Sequence, residues 1–368
     1  MKEDDTRTVK QLIILGNGFD LTCGLKSKFI DFFDYVNEQE EHPIKNNLFM
    51  SLFQIYGKPS QDTTWADVEN VLKKSLGIIH KYFEDGGVNN QASFLMISLE
   101  RKEGISHNEL PVRNFQNAQF YYDAFKKEVK EFEQEFTEYL ENLIQTKEYI
   151  YKSHRLALNL SLVEYKDELL FAEEYDMNAV MKKRKEMMRS GKYAGNFFSF
   201  NYTPISLDAM PQQTQNIHGS LQNKNVILGI DGHDALDDLL EFTKTYRLLS
   251  RTEEKEAIDF SEEFDCIKFM GHSLSEADYS YFQAIFDGIE LYSSKTKLYF
   301  YYHIYDKSNR ANIAQENYKA VAKLLKHYGK SFVTNPDHGK NLMHKLILER
   351  RLIVKELDCS LLNAPIPE

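Results

Sequence analysis

The stretch Leu12-Ile13-Ile14-Leu15-Gly16-Asn17-Gly18-Phe19-Asp20-Leu21 joins a short apolar run to a glycine-rich turn. An uninterrupted run of branched apolar residues is typical of a strand that is buried on both faces of a sheet. After the turn, apolar residues recur at helical spacing, at Phe29, Phe32, Phe33 and Val36. The order strand, glycine turn, helix is how an open α/β sheet begins a nucleotide-binding unit.

Two interpretations of this turn stay open at the level of sequence. Gly16 and Gly18 would let a phosphate approach the backbone, next to the free N–H groups of a helix N-terminus. However, Leu21 stands where the dinucleotide fingerprint has its third glycine, and no Lys-Ser/Thr pair follows as in a phosphate-binding loop. The alternative is a tight turn whose backbone dihedral angles favour glycine.

The composition limits the class of protein. The 368 residues suffice for one large domain or two, and 42% hydrophobic with 27% charged residues is ordinary for a globular chain. A formal net charge of −11 disfavours a general nucleic-acid-binding surface. The 22 Tyr and 25 Phe residues fall mostly at helical spacing, which indicates core positions rather than a base-stacking platform.

The cysteine content and the N-terminal sequence favour a particular cellular compartment. Cys23, Cys266 and Cys359 are too few and too widely spaced for a zinc cluster or an even-numbered disulfide framework. No signal-peptide pattern and no apolar stretch of membrane-spanning length is visible. We therefore expect a cytoplasmic protein with no membrane partner and no metal cofactor.

A long helical region separates the first predicted strand from the next. The apolar spacing predicts helices over 27–41, 44–56, 64–83, 113–152 and 153–190, and the fourth carries the stripe Phe125, Val129, Phe132, Phe136, Tyr139, Leu140 and Leu143. The polar residues 88–112 are predicted to be a mobile loop. We assign residues 44–190 to a helical insertion.

Strand patterns then follow one another closely. They cover Asn196–Tyr202, Gln215–His218, Val226–Ile230, Cys266–Met270, Leu298–His303 and Ser331–Thr334, with helical patterns at 235–259, 276–289 and 309–328. This alternation predicts an α/β fold with a doubly wound, mostly parallel, Rossmann-like sheet. Residues 1–43 and 191–368 would form that nucleotide-binding domain around the insertion.

Polar clusters follow five of the predicted strands directly. They are Gly16-Asn17-Gly18, Asn201-Tyr202-Thr203, His218-Gly219-Ser220, Asp231-Gly232-His233 and Gly271-His272-Ser273. In an open α/β sheet, ligands bind outside the carboxyl ends of the strands, where the strand order reverses. The clusters therefore mark one edge of the sheet as the predicted binding site.

Asn201 and His218 carry the side chains best suited to chemistry at this edge. If their strands are neighbours, about 4.8 Å apart, both side chains would enter one crevice. An amide can orient a water molecule or a ribose hydroxyl, and a histidine can accept a proton near neutral pH. The alternatives are turn formation by Asn201 before Pro204 and a hydrogen-bonded histidine at a strand end.

The stretch Met270-Gly271-His272-Ser273-Leu274-Ser275-Glu276-Ala277-Asp278 forms a second strand–glycine–helix junction. Gly271 and Ser273 would contact a ribose or an adenine, beside a second helix N-terminus. Ser275 and Asp278 also fit a capping box, and this is the alternative role of Asp278.

In combination, these motifs resemble those of the AbiH family of phage abortive-infection proteins. The resemblance rests, in order, on the glycine turn of residues 16–21, Trp65-Ala66-Asp67-Val68-Glu69, Phe200-Asn201-Tyr202-Thr203, Ile217-His218-Gly219 and Met270–Leu274 with Asp278. It covers most of the chain, and it implies a role in antiviral defence.

The same order also resembles the sirtuin-like NAD-cleaving domains of antiphage systems, although Thr203 stands where their motif has Asp. That resemblance implies catalytic roles for Asn201 and His218. It implies cofactor-binding roles for residues of the two glycine turns: Gly16, Asn17, Gly18, Phe19, Asp20, Gly271, His272, Ser273 and Asp278. Deacylation is set aside, because three cysteines cannot build the four-cysteine zinc ribbon of deacetylating sirtuins.

The resemblances imply that NAD is the substrate and is cleaved to nicotinamide and ADP-ribose, so that NAD depletion stops an infected cell. The alternative is a non-catalytic nucleotide-binding sensor that acts through a partner protein, with the large helical insertion as its support. A nuclease is disfavoured by the net charge of −11 and by the lack of a metal-binding carboxylate spacing. A protein partner, a phage-derived trigger and a homo-oligomer are compatible with both remaining functions.

Overall fold

A computed structural model describes residues 8–56, 65–84, 90–105, 115–165, 193–205, 214–231, 237–249 and 263–363, together with Lys182, Glu186 and Pro365. The chain divides into two compact units. The first comprises Met1–Leu25, Leu143–Gln222 and Lys255–Glu368, and the second comprises Lys26–Asn142 and Asn223–Glu254. The second unit begins before the insertion predicted at 44–190 and includes a later segment.

The first unit contains a six-stranded sheet in which every neighbouring pair of strands is parallel. The strands are β1 (Val9–Leu15), β2 (Tyr193–Ser199), β3 (Thr214–Asn216), β4 (Cys266–Met270), β5 (Lys297–Tyr302) and β6 (Leu352–Glu356). They lie in the order β3-β2-β1-β4-β5-β6. This is the strand order of doubly wound, dinucleotide-binding folds, so the predicted fold class is confirmed.

β1 is the centre of the sheet, as its sequence predicts. Its residues from Gln11 to Leu15 are buried, and it pairs with β2 on one side and β4 on the other. The chain adds β2 and β3 on the first side and then crosses to add β4, β5 and β6 on the second. The strand order therefore reverses between β1 and β4, and this is the position at which such sheets bind ligands.

Most strand predictions are confirmed, and two are wrong. Val226–Ile230 is not a strand of the sheet, because this segment belongs to the second unit and makes only an isolated bridge from Ile230 to Thr243. Ser331–Thr334 is a turn instead of a strand, because Pro336 starts a helix immediately after it. The edge strand β6 was not predicted.

In the described ranges the α-helices are α1 (Asn17–Thr22), α2 (Phe29–Glu38), α3 (Leu48–Tyr56), α4 (Trp65–Glu84), α5 (Asn90–Lys102), α6 (Phe115–Ile144), α7 (Lys147–Leu162), α8 (Lys244–Leu249), α9 (Tyr279–Gly288), α10 (Arg310–Gly329) and α11 (Pro336–Leu348). Within the described ranges, none of them combines the length and the apolar character that crossing a membrane requires.

The helical predictions need two corrections. Residues 88–112 are not a loop throughout, since α5 occupies Asn90–Lys102 and buries Leu95, Met96 and Leu99. Residues 88, 89 and 106–112 lie outside the described residues. The helix predicted over 113–152 is two helices, because Thr146 caps a new one by accepting a hydrogen bond from the Tyr149 N–H. Most of the helix predicted over 153–190 also lies outside the described residues.

A buried lysine anchors α7 on the sheet of the first unit. Lys268 of β4 is fully buried, and its Nζ donates to the carbonyl of Leu160 at 2.7 Å, at the C-terminal end of α7. Gln11 of β1 donates its Nε2 to the next carbonyl, that of Ser161, at 3.0 Å. The last carbonyls of a helix have no partner within the helix, so these two side chains satisfy them.

The second unit has an aromatic core. Phe29 and Phe32 of α2 pack against Phe132 and Phe136 of α6, with ring centroids 4.6 to 5.9 Å apart. These are the residues whose spacing predicts buried helix faces. Glu69, from the Trp-Ala-Asp-Val-Glu motif, forms an ion pair with the buried Lys244 of the same unit, so this part of the motif serves the core of the second unit.

The two glycine turns of the first unit pack directly against each other. A Cβ atom at Gly18 would lie 2.6 Å from the Cα of Gly271, and one at Gly16 would lie 2.4 Å from the Cα of His272. Gly16 has an extended backbone, and of the three glycines in these two turns only Gly271 is left-handed, with φ of +70°. Gly16 and Gly18 are therefore needed for close packing of the second turn, and not for unusual dihedral angles.

We predict that Gly18→Ala lowers the free energy of unfolding by about 1–3 kcal/mol, because the added methyl group overpacks the contact with Gly271. The matched control is Gly77→Ala in α4, where a Cβ atom meets nothing within 4 Å. That substitution should raise stability by up to about 1 kcal/mol through helix propensity. Equal melting temperatures for the two variants would contradict the packing role of Gly18.

Candidate functional site

Four of the five predicted polar clusters lie at one edge of the sheet. Gly16 follows β1, Asn201 follows β2, His218 follows β3 and Gly271 follows β4, and parallel strands have their carboxyl ends on the same side. β2 and β3 are neighbours, as Asn201 and His218 require for a shared crevice. The fifth cluster does not belong here, since Asp231 follows no strand of the sheet; Gly232 and His233 lie outside the described residues.

Asp278 lies between two histidines at this edge. Its Oδ1 is 3.6 Å from Nε2 of His218, and its Oδ2 is 3.5 Å from Nε2 of His272. All three side chains are at least nine-tenths buried. These separations are longer than direct hydrogen bonds, so the carboxylate acts on the imidazoles mainly through its charge. We refer to His218, Asp278 and His272 as the His–Asp–His cluster.

Aromatic rings enclose the cluster. Phe200 contacts both imidazoles edge-on, with its centroid 5.3 Å from that of His218 and 4.5 Å from that of His272. Tyr281 of α9 packs on His218 at 5.5 Å, and Phe282 packs on His272 at 4.9 Å. Apolar surroundings lower the local dielectric constant, and this strengthens the electrostatic interaction between the carboxylate and the imidazoles.

The backbone fixes the protonation of one histidine. The N–H of Leu274 donates to Nδ1 of His272 at 2.9 Å. A ring nitrogen that accepts a hydrogen bond carries a lone pair, so the single proton of the neutral imidazole sits on Nε2. Nε2 is the nitrogen that faces Asp278.

Asp278 does not form the predicted capping box. Ser275 precedes a short 3₁₀ helix, Glu276–Asp278, but makes no side-chain capping hydrogen bond there. The carboxylate of Asp278 also makes no capping bond at the start of α9. The alternative role predicted for Asp278 is therefore wrong, and its carboxylate faces the two histidines instead.

Asn201 connects the ends of three strands. Its Nδ2 donates to the carbonyl of Gly16 at 3.0 Å, after β1. Its own carbonyl accepts a hydrogen bond from Nδ2 of Asn216, the last residue of β3, at 2.6 Å. The side chain is buried, and one of its two polar ends is already committed to the backbone of the glycine turn.

Asp20 lies in the core directly behind the glycine turn. Its carboxylate accepts hydrogen bonds from the hydroxyl of Tyr149 on α7 at 2.7 Å and from the hydroxyl of Thr203 at 2.9 Å. Burial raises the pKa of Asp20 from 3.8 to about 7, although both hydroxyl groups favour the charged form. The same burial, and then the charge of Asp20, raises the pKa of Tyr149 well above its ordinary value.

The other predicted contact residues differ in exposure. Ser273 is exposed, and Asn17, the first residue of α1, is half-buried. Phe19 is 1% exposed and packs in the core with Ile13 and Leu156. Ser273 and Asn17 therefore remain accessible to a ligand, whereas Phe19 and Asp20 support the turn from behind.

The family of the chain is decided by its sequence over this same region. The family model described as bacteriophage abortive infection AbiH matches residues 12–302, from β1 to the end of β5. The chain belongs to the AbiH family. The matched residues include both glycine turns, Asn201 and the whole His–Asp–His cluster, and the family assigns the chain to phage abortive infection. No curated protein matches the chain.

Sequence reasoning on this AbiH-family chain missed two aromatic residues of the site. Tyr149 reaches Asp20 from α7, across 129 positions of sequence, and no local pattern indicates such a contact. Tyr281 is half-buried on α9 and contacts His218, and no sequence motif distinguishes it from the neighbouring aromatic residues. Among the described residues, no group of three or more His, Cys, Asp or Glu side chains is arranged to hold a metal ion.

We predict that Asp20→Asn flattens the dependence of stability on pH. The folded state of the wild type holds the Asp20 proton more tightly than the unfolded state, so the free energy of unfolding falls as pH rises from about 4 through about 7. The loss should be on the order of a few kcal/mol. Asn keeps the shape of the side chain without the charge, so denaturant unfolding at pH 5 and pH 8 should differ less for the variant.

The matched control is Asp34→Asn on α2, which removes an exposed carboxylate and should retain the pH dependence of the wild type. If Asp20→Asn and wild-type protein lose equal stability between pH 5 and pH 8, Asp20 is ionised in the folded state throughout that range. The assignment of its raised pKa would then be wrong.

Proposed function

We propose that this AbiH-family protein binds NAD at the carboxyl edge of β1, β2, β3 and β4 and hydrolyses it to nicotinamide and ADP-ribose. One observation carries the proposal: a buried His–Asp–His cluster stands beside the reversal of strand order in a sheet of the dinucleotide-binding type. The motif order of sirtuin-like NAD-cleaving domains supports it. In an abortive-infection protein, loss of NAD would stop the infected cell.

In this proposal the dinucleotide crosses the edge of the sheet between β1 and β4. Its pyrophosphate lies at the Gly16–Asp20 turn, beside Asn17, and its adenine ribose lies at Gly271 and the exposed Ser273. Phe19 and Asp20 hold the turn in place from the core. The nicotinamide ribose then extends towards Asn201 and His218.

The chemistry consumes one water molecule per NAD. The bond between ribose C1′ and the nicotinamide nitrogen breaks, and its electron pair leaves with neutral nicotinamide. Water adds to the resulting oxocarbenium carbon, and its proton passes to His218 as general base. The Nδ2 of Asn201 donates a hydrogen bond to the carbonyl of Gly16, so its Oδ1 is the atom that accepts a hydrogen bond from a ribose hydroxyl. The aromatic enclosure around His218 excludes bulk water.

A non-catalytic nucleotide sensor is the second candidate, and one observation favours it. The Nδ2 of Asn201 donates to the carbonyl of Gly16, which gives this residue a structural role that needs no reaction. In a sensor, nucleotide binding at the same edge would change the affinity for a partner protein. The two functions differ in whether NAD is consumed.

We predict that His218→Ala slows NAD hydrolysis by roughly 10²–10⁴-fold, the usual contribution of a positioned base. The measurement is release of nicotinamide by the purified protein and loss of cellular NAD after phage infection of cells that express it. His344→Ala, an exposed histidine of α11, is the matched control and should retain wild-type rates. A folded His218→Ala protein with the parental rate would remove His218 from the mechanism.

Asn201→Ala separates the two candidate functions. The hydrolase should lose NAD consumption and protection from phage together, whereas a sensor would keep protection while NAD stays constant. Loss of the hydrogen bond to Gly16 should cost only about 1 kcal/mol, so the variant is expected to fold. Asn312→Ala, which changes an exposed residue of α10, provides the matched control for both readouts.

A further inference from the structure

The loops that follow the neighbouring strands β2 and β3 are joined on both sides of His218. Before it, the N–H of Ile217 donates to the carbonyl of Ser199 at 2.8 Å. After it, the N–H of Leu221 donates to the carbonyl of Tyr202 at 2.9 Å. The backbone around His218 is therefore attached to the loop that begins after β2.

Asn216, the last residue of β3, adds a side-chain connection between the same two loops. Its Nδ2 donates to the carbonyl of Asn201 at 2.6 Å and to the carbonyl of Thr203 at 3.1 Å. Both partners are carbonyl oxygens, so the nitrogen of the amide must face them, and its two hydrogens suffice for the two bonds. These carbonyls flank Tyr202, so one side chain holds both ends of a three-residue segment.

We propose that Asn216 is a positioning residue that fixes Asn201 relative to His218 at the candidate site. It stands two positions before His218 in the chain, and its amide binds the backbone of Asn201 itself. A displacement of about 1 Å at an active site can slow a reaction by about 100-fold, so such a connection bears on chemistry as well as on stability. The catalytic part of this inference rests on the proposed function.

The opposite side of the Asn201 loop is bound to the first glycine turn. Nδ2 of Asn201 donates to the carbonyl of Gly16 at 3.0 Å, and the hydroxyl of Thr203 donates to the carboxylate of Asp20 at 2.9 Å. These contacts do not involve Asn216, so a variant at this position should fold and keep the loop attached to the turn after β1. It should lose the fixed distance between this loop and the loop after β3.

The test compares Asn216→Ala and Asn216→Asp with a matched control, Asn317→Ala. Asn317 is also half-buried, and its Nδ2 donates to one backbone carbonyl, that of Ile313, at 2.8 Å. Asn216→Ala removes both donated bonds, and at a half-buried position water can replace part of them. Asn216→Asp places a carboxylate oxygen against two carbonyl oxygens, so it should disturb the loop more, although its shape is closer to that of Asn.

Amide hydrogen exchange, measured by NMR on the full chain, reports on the loop without any substrate. In wild-type protein, both side-chain hydrogens of Asn216 should exchange more slowly than those of an exposed asparagine, because each is bound to a carbonyl. In Asn216→Ala, the N–H of Leu221 should exchange roughly tenfold faster, since its acceptor lies in the loosened loop. The N–H of Gly16, which is bound to Met270, should keep its wild-type rate.

Three results of the exchange measurement would overturn the positioning role. They are fast exchange of either Asn216 side-chain hydrogen in the wild type, unchanged exchange at Leu221 in folded Asn216→Ala, and equal acceleration at Leu221 and Gly16. The wild-type measurement decides this even if neither variant folds.

Kinetics with NAD supply the catalytic readout. In Asn216→Ala, kcat should fall by roughly 10–100-fold, and in Asn216→Asp it should fall further, whereas Asn317→Ala should retain the parental rate. Because Asn216 is proposed to act through Asn201, adding Asn216→Ala to Asn201→Ala should slow the reaction little further. Losses that multiply would show that the two residues act independently, and would overturn the positioning role.

The two proposals can fail separately. The expected exchange pattern without NAD hydrolysis by the wild type would contradict the hydrolase and support the link that Asn216 makes between the loops. NAD hydrolysis at the parental rate by folded Asn216→Ala would contradict the positioning role alone.

Discussion

Two backbone hydrogen bonds hold the edge of the sheet together. The N–H of Gly16 donates to the carbonyl of Met270 at 3.0 Å, and the N–H of Gly18 donates to the carbonyl of Gly271 at 2.8 Å. They join the turn after β1 to the turn after β4, so closely that neither turn has space for a Cβ atom. The two turns lie where the strand order reverses, which is the position at which such sheets bind ligands.

Residues of the candidate site lie on both of the glycine turns that form this contact. On the first turn, the carbonyl of Gly16 accepts a hydrogen bond from the side-chain amide of Asn201. The carboxylate of Asp20 accepts hydrogen bonds from the hydroxyl groups of Tyr149 and Thr203. On the second turn, His272 directly follows Gly271 and faces Asp278, which also faces His218. The positions of the polar side chains therefore follow from a packing constraint between glycines. The packing requirement for the glycines is therefore independent of any ligand.

Local sequence predicts the elements of the sheet but not their partners. The apolar run before Gly16 predicts the central strand because burial on both faces leaves a direct mark on the sequence. Val226–Ile230 is a similar apolar run but lies in the second unit. An apolar run therefore does not specify which element it packs against. The glycine turn and His218 could be singled out by residue type, whereas the pairing of Asp278 with His218 could not. That pairing depends on the register of strands and on a short helix whose capping pattern suggested another role for Asp278.

The central claim is that a dinucleotide lies across this edge of the sheet. A crystal structure of His218→Ala protein soaked with NAD tests it most directly, because the variant should bind NAD without consuming it. The account predicts the pyrophosphate at the Gly16–Asp20 turn, the adenine ribose near Ser273 and the nicotinamide ribose beside residue 218. NAD bound elsewhere on the chain, or an edge that stays empty at millimolar NAD, would contradict it.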